Sequence, residues 1–276
     1  WNVSSVVNMT SMFRDAKSFN QNLSGWDVSK VTNMSHMFSD AIVFNQDLSG
    51  WDVSRVTDMS HMFFCATSFN QDLSGWDVSS VTGMSHMFHN AILFNQNLSR
   101  WNVSRVTDMS FMFDRAVVFN QDLCGWEVTR VRNMNAVFCG ASSFNQDLGR
   151  WDVSSVMHMT DMFHGAKAFN QDISGWNVSR VRNMNAMFGG ASSFNQDLGR
   201  WDVSRVMDMG GMFDGALVFI QDLSAWNVQN VINTYHIFYS TALKEHIQRT
   251  MHVSTFFEGV YRDMPREERR QAFAGV

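Results

Sequence analysis

The sequence predicts a repeat solenoid of the α/β class, with one short parallel strand plus one short helix per 25-residue coil. Three observations carry this reading. The ten tryptophans (Trp1, Trp26, Trp51, Trp76, Trp101, Trp126, Trp151, Trp176, Trp201 and Trp226) are each one period apart. The stretch Leu48 to Met62, L-S-G-W-D-V-S-R-V-T-D-M-S-H-M, returns in every period with almost nothing inserted or deleted. The apolar residues keep fixed offsets inside the period. Self-similarity at a fixed period of about 20–50 residues marks an array in which each repeat buries its apolar face against its neighbours. Such an array grows by addition, so a chain of 276 residues needs no second core.

Each element follows from the pattern. Leu23, Trp26, Val28, Val31 and Met34 lie at offsets 0, 3, 5, 8 and 11. The leucine-rich-repeat template places its apolar sites at about 0, 3, 5, 8 and 10, so the predicted coil is leucine-rich-repeat-like. Trp-Asp-Val-Ser alternates apolar and polar residues, as a short half-buried strand does. Thr32-Asn33 then offers N-cap chemistry, and Met34, Met37, Phe38 and Ala41 fall at 0, 3, 4 and 7, one face of a two-turn helix. The residue before the Ala is Asp40, Asn90, Gly140, Gly165, Gly190 or Gly215 in six coils, types suited to a left-handed helix exit. The return leg, Phe44 to Leu48, brings one more aromatic inside. Trp, both Met, both Phe and Ala are expected to point inward as continuous ladders.

The Asn-Gln pair recurs from Asn20-Gln21 to Asn195-Gln196. Enclosed loop backbone must find hydrogen-bond partners, and a side-chain amide supplies both donor and acceptor, so the pair reads as structural. The repeat sets the predicted domains: 1–233 is a solenoid of nine full repeats plus a partial tenth, and 234–276 a degenerate, mainly helical C-terminal cap. The chain opens on Trp1 in mid-repeat, which is expected of a fragment or a processed product.

Composition narrows the classes. Net charge is −5, with 21 basic and 26 acidic residues scattered along the chain, whereas nucleic-acid binding calls for a basic stripe. Apolar runs stay far below the roughly 18 residues of a membrane span. Cys65, Cys124 and Cys139 are too few and too irregular for a disulfide framework or a zinc site. Seven N-x-Ser/Thr sequons, at Asn2, Asn8, Asn22, Asn33, Asn97, Asn102 and Asn177, are generated by the repeat wherever its Asp/Asn position is Asn.

The recurring W-[DN]-V-S-x-V-T-[DN]-M-x-x-M-F-x-x-A-x-x-F-N-Q-[DN]-L-S-G resembles the 25- to 26-residue repeat of BspA-like leucine-rich-repeat surface proteins, over about residues 1–233. The resemblance implies an extracellular or cell-surface array, in some members an adhesin for matrix proteins or neighbouring cells. It brings no catalytic residues and no cofactor.

The candidate binding face follows from the predicted strand. Asp27, Asp52, Asp77, Glu127, Asp152 and Asp202 form an outward acidic row, with Asn at the remaining coils. Three residues further on, Arg55, Arg105, Arg130, Arg180 and Arg205, with Lys30, form a partly basic row. Either the two rows are a solvated ladder of mixed charge, or they form a recognition surface for a protein or glycan on a cell or matrix surface. Calcium capture is disfavoured because ligands on one line rarely enclose an ion. His36, His61 and His86 recur in successive coils, where metal capture competes with simple exposure. The departures from the repeat (Cys65, Glu127, His158) look scattered, whereas a catalytic site needs one special pocket. The expected protein is therefore a non-enzymatic surface or secreted binding scaffold. A purely structural spacer or cell-envelope element is the alternative.

Overall fold

The computed structural model describes residues 1–242. It consists of ten stacked layers, each beginning at a Trp and each joined to the next by backbone hydrogen bonds in a constant register. The expected α/β leucine-rich-repeat-like solenoid does not form. Between residues 1 and 241 there is no helix. Among the described residues the only parallel pairing is one bridge residue per layer, running Asn8, Asn33, Asp58, Gly83, Asp108, Asn133, His158, Asn183, Asp208 and Asn233. The bridge falls just before the first Met, and Trp-Asp-Val-Ser forms no strand.

The third layer shows why. Successive tight turns close at Trp51 N–H to Leu48 C=O, Val56 to Val53, Met62 to Met59, Phe64 to His61, Ala66 to Phe63 and Phe69 to Ala66, all at 2.9–3.1 Å. The intervening amides leave the layer: Met59, His61, Phe63 and Cys65 donate to the carbonyls of Gly83, Ser85, Met87 and His89 at 2.8–3.0 Å. An α-helix would turn its later amides to carbonyls four residues back in the same layer, leaving only its first turn free to bond elsewhere, so far fewer backbone bonds could join neighbouring layers. Here alternate amides are spent on the neighbour, so the chain advances turn by turn. Turns that close every three or four residues place Met59, Met62, Phe63 and Ala66 inside, at the offsets a helix would use. That coincidence of spacing misled the sequence reading.

The turns require left-handed backbone at two positions in each layer. One is the expected site before the Ala: Asp40 (φ 59), Cys65 (φ 54), Asn90 (φ 55) and Gly165 (φ 67). The other lies four residues earlier, at His36 (φ 57), His61 (φ 59), His86 (φ 58) and Phe111 (φ 58). The second site was not foreseen, because a helix has only one such exit. A left-handed non-glycine residue costs about 1 kcal/mol, which the interlayer bonds offset.

Side chains complete the corners. Asn33 Oδ1 accepts the Ser35 N–H at 2.8 Å, so the expected cap chemistry is present, as an Asx turn with no helix behind it. Asp47 Oδ1 accepts the Ser49 N–H at 2.8 Å and Asp52 Oδ1 the Ser54 N–H at 3.1 Å, corners of the same kind at two further positions of the repeat. On the return leg, Asn20 Oδ1 takes both the Asn45 N–H (2.9 Å) and Gln46 Nε2 (3.0 Å) of the next layer. The pattern repeats until Asn195 receives Ile220 N–H (3.0 Å) and Gln221 Nε2 (2.9 Å). The Asn-Gln pair is thus a structural ladder.

The core is one continuous stack. Trp101, Val103, Val106, Met109, Met112, Phe113, Ala116, Phe119 and Leu123 are all buried, and the equivalent residues of neighbouring layers join them in a single cluster. Phe38 stacks on Phe63 at 5.6 Å, and Trp76 on Trp101 at 6.5 Å with parallel rings. Each inner indole from Trp51 to Trp226 donates to the carbonyl of the Leu (Ile173 for Trp201) 28 residues earlier, as Trp76 Nε1 does to Leu48 O at 3.0 Å. Trp1, with nothing stacked on its outer side, is 89% exposed. At the other end the layer begun by Trp226 keeps its turns, with Ile237 and Phe238 buried. The remainder of the expected helical cap, from 243 to 276, lies outside the described residues.

Candidate functional site

The acidic row lies on the surface. Asp27, Asp52, Asp77, Glu127, Asp152 and Asp202 are exposed, as are Arg55, Arg105, Arg130, Arg180 and Arg205. Each aspartate is held by its own layer: Oδ1 accepts the N–H of Ser29, Ser54, Ser79, Ser154 or Ser204 at 3.0–3.1 Å. These serine hydroxyls, and then the serine N–H groups, hold the Asp27, Asp52, Asp77, Asp152 and Asp202 carboxyls below the usual carboxylate range. Asn102 and Asn177 accept the same bond from Ser104 (3.1 Å) and Ser179 (3.2 Å), which is why Asp and Asn interchange in the row. One carboxylate oxygen is thereby committed to the turn, and the charge stays at the surface in a fixed orientation.

The basic row does not clamp the acidic one. Among the described residues the ion pairs are Arg14–Asp15 at 3.6 Å, His89–Asp114 at 2.9 Å and His164–Asp161 at 3.5 Å. None joins the two rows. Arg55 and Arg205 act on Asp52 and Asp202 only through space, more weakly than the serine hydrogen bonds do. The face is thus a periodic display of carboxylates and guanidiniums that form no ion pairs with one another. Among the described residues no group of three or more His, Cys, Asp or Glu could hold a metal.

The histidines form a stack, and the stack explains why they are poor metal ligands. His36 lies 4.3 Å from His61, and His61 4.3 Å from His86, with near-parallel rings; Phe111 continues the column 4.5 Å beyond His86. Imidazole lone pairs lie in the ring plane, so stacked rings aim them side by side and never at one ion. Burial, and then the neighbouring His86 and His36, push His61 down to about 4. His61 Nδ1 and His86 Nδ1 are buried without partners. Because the unfolded chain binds a proton here near pH 6.5 and the folded one only near pH 4, stability falls as pH drops through that window. After allowing for partial solvent screening we expect a loss of about 1–2 kcal/mol between pH 7 and 4 from this group. His61→Phe, which copies Phe111, should flatten the urea-midpoint-versus-pH curve in that range. An unchanged acid slope would count against the stack as its source.

The sequence reading missed a second column. Phe64 stacks on His89 at 4.5 Å, His89 Nδ1 meets Asp114 Oδ2 at 2.9 Å, and the Cys139 thiol in the following layer feels the Asp114 charge. These departures look scattered along the chain but occupy one repeat position, and reading the repeats column by column would have found them. The order is unsuited to nucleophilic catalysis. Asp114 separates the thiol from the imidazole, and burial followed by the Asp114 charge pushes Cys139 up to about 12, so no thiolate forms at neutral pH. All three cysteines are free.

Fold and surface together define a repeat protein: a stack of turn-built layers with a continuous apolar core and a periodic polar exterior. The chain belongs to the family described as Mycoplasma protein of unknown function, DUF285, whose model matches three times in tandem, over residues 1–91, 71–168 and 140–250. No curated protein matches the chain. Among the described residues no helix is long and apolar enough to cross a membrane.

Proposed function

We propose that this protein is a non-enzymatic binding scaffold, displayed on a cell surface or secreted, which engages a protein or glycan through its Asp and Arg rows. The observation that carries the reading is the oriented carboxylate row, held by serine hydrogen bonds on a continuous apolar stack. Rigid, repeated, pre-oriented charges lower the ordering cost of binding an extended partner. The resemblance of the repeat to BspA-like surface proteins supports the extracellular setting and an adhesive role.

The test exploits the Asp/Asn interchange. Asn at positions 52, 77 and 152 keeps the Asx bond and removes three charges, so Asp52→Asn, Asp77→Asn and Asp152→Asn together should leave stability within about 0.5 kcal/mol. Binding to a panel of cells, matrix proteins and glycans should fall several-fold and lose part of its salt dependence. A native protein that binds nothing on such panels, or a triple variant that binds as well as the native chain, would favour a structural spacer.

A further inference from the structure

Near the C-terminal end of the stack the surface opens into a recess of about 500 Å³ lined by Arg182, Arg205, Met207, Gln229, Asn230 and Ile232. The column through Arg182 reads Thr57, Thr82, Thr107, Arg132 and Met157 before it and Met207 and Ile232 after it, and Arg182, unlike Arg132, is followed in the next layer by an arginine of the basic row, Arg205. The basic row ends at the same point, with Asn230 one repeat beyond Arg205. Two guanidiniums from adjacent layers therefore share one hollow with two side-chain amides and two aliphatic chains.

Neither arginine makes an ion pair among the described residues; Asp202 acts on Arg205 only through space, and one oxygen of each nearby carboxylate is held by neutral donors. Asp202 Oδ1 accepts the Ser204 N–H at 3.0 Å. Asp208 Oδ1 accepts the Gly210 N–H at 2.9 Å, Asn233 Nδ2 at 2.9 Å and Asn185 Nδ2 at 3.3 Å. An incoming carboxylate brings a counter-charge into direct contact with the two guanidiniums and accepts paired N–H bonds from one of them. Met207 is 47% and Ile232 78% exposed, so aliphatic surface awaits cover beside the charge. Asn230 Nδ2 already donates to Ser204 O at 2.7 Å and leaves its Oδ1 as acceptor, while the Gln229 amide offers both a donor and an acceptor, the complement of a peptide group.

We propose that this recess is a subsite for an acidic peptide whose glutamate or aspartate side chains alternate with aliphatic ones. The carboxylates pair with Arg182 and Arg205, the aliphatic side chains cover Met207 and Ile232, and the peptide backbone bonds to Gln229 and Asn230. The assignment rests on the reading of the protein as a binding scaffold and names a partner class for the end of its basic row.

The probe is a capped tetrapeptide alternating leucine and glutamate, titrated into the full chain at low salt and followed by calorimetry. We expect saturable binding that weakens about tenfold when glutamine replaces glutamate in the peptide, and about tenfold again at high salt. Arg182→Gln with Arg205→Gln should abolish it, Arg182→Lys with Arg205→Lys should retain part of it, and Arg55→Gln, in the same row but remote from the recess, should leave it unchanged. The Asp52→Asn, Asp77→Asn, Asp152→Asn protein should bind the peptide normally, so the subsite stands or falls independently of the acidic row. Equal binding of the glutamine peptide, unaltered binding by the double glutamine variant, or tighter binding of a hexuronate oligosaccharide would overturn the assignment.

Discussion

Trp101→Ala is expected to destabilise the protein by about 3–5 kcal/mol, the largest effect of any single substitution considered. Trp101 is 2% exposed. Its ring lies parallel to Trp76 at 6.5 Å and tilts against Phe88 at 6.3 Å, so truncation opens a cavity shared by two layers. The indole also donates to Leu73 O at 3.0 Å, and that carbonyl would be left without its side-chain donor. Neighbouring layers are pinned by backbone bonds in fixed register and cannot close over the void. Trp1→Ala removes the same side chain where it is 89% exposed and should cost no more than about 0.5 kcal/mol. Urea titrations of the two variants, followed by far-ultraviolet circular dichroism, provide the measurement. Equal losses would mean that the indole ladder does not carry the stability assigned to it.

Gly165→Val is expected to cost about 2–3 kcal/mol, and Gly165→Asn about 1 kcal/mol or less. Gly140, Gly165, Gly190 and Gly215 occupy one column at φ 65, 67, 66 and 70. Space is not the obstacle. A Cβ on Gly165 would meet Gly140 Cα and N at 3.7 Å, an ordinary contact. The cost is conformational, because a β-branched residue has no comfortable left-handed well, whereas Asn90 holds φ 55 at the same position of an earlier layer. Similar losses for Val and Asn would point to crowding and refute the conformational account.

Both expectations show which features a repeat makes legible. The period, the inward set of Trp, Met, Phe, Ala and Leu, and the Asn-Gln ladder can be read directly, because identical positions in stacked layers must share one environment. Asp40, Asn90 and the glycine column marked a left-handed residue, because residues that tolerate positive φ predominate there, although Cys65 and Arg115 are held in the same conformation. The Asp and Arg rows were likewise placed outside, where they lie.

What the sequence by itself determined is which side of the chain faces the core, since that depends on side-chain polarity and on spacing alone. The tertiary structure decided where the backbone amides go. Offsets of 0, 3, 4 and 7 suit a helix and a run of tight turns equally well. The choice fell to turns because His61 and Cys65 N–H reach the Ser85 and His89 carbonyls of a layer 24 residues away. The second left-handed site at His61 follows from that choice, as does the stacking of His36, His61 and His86. Phe64, His89, Asp114 and Cys139 meet for the same physical reason: residues one repeat apart become neighbours only when layers are bonded in strict register.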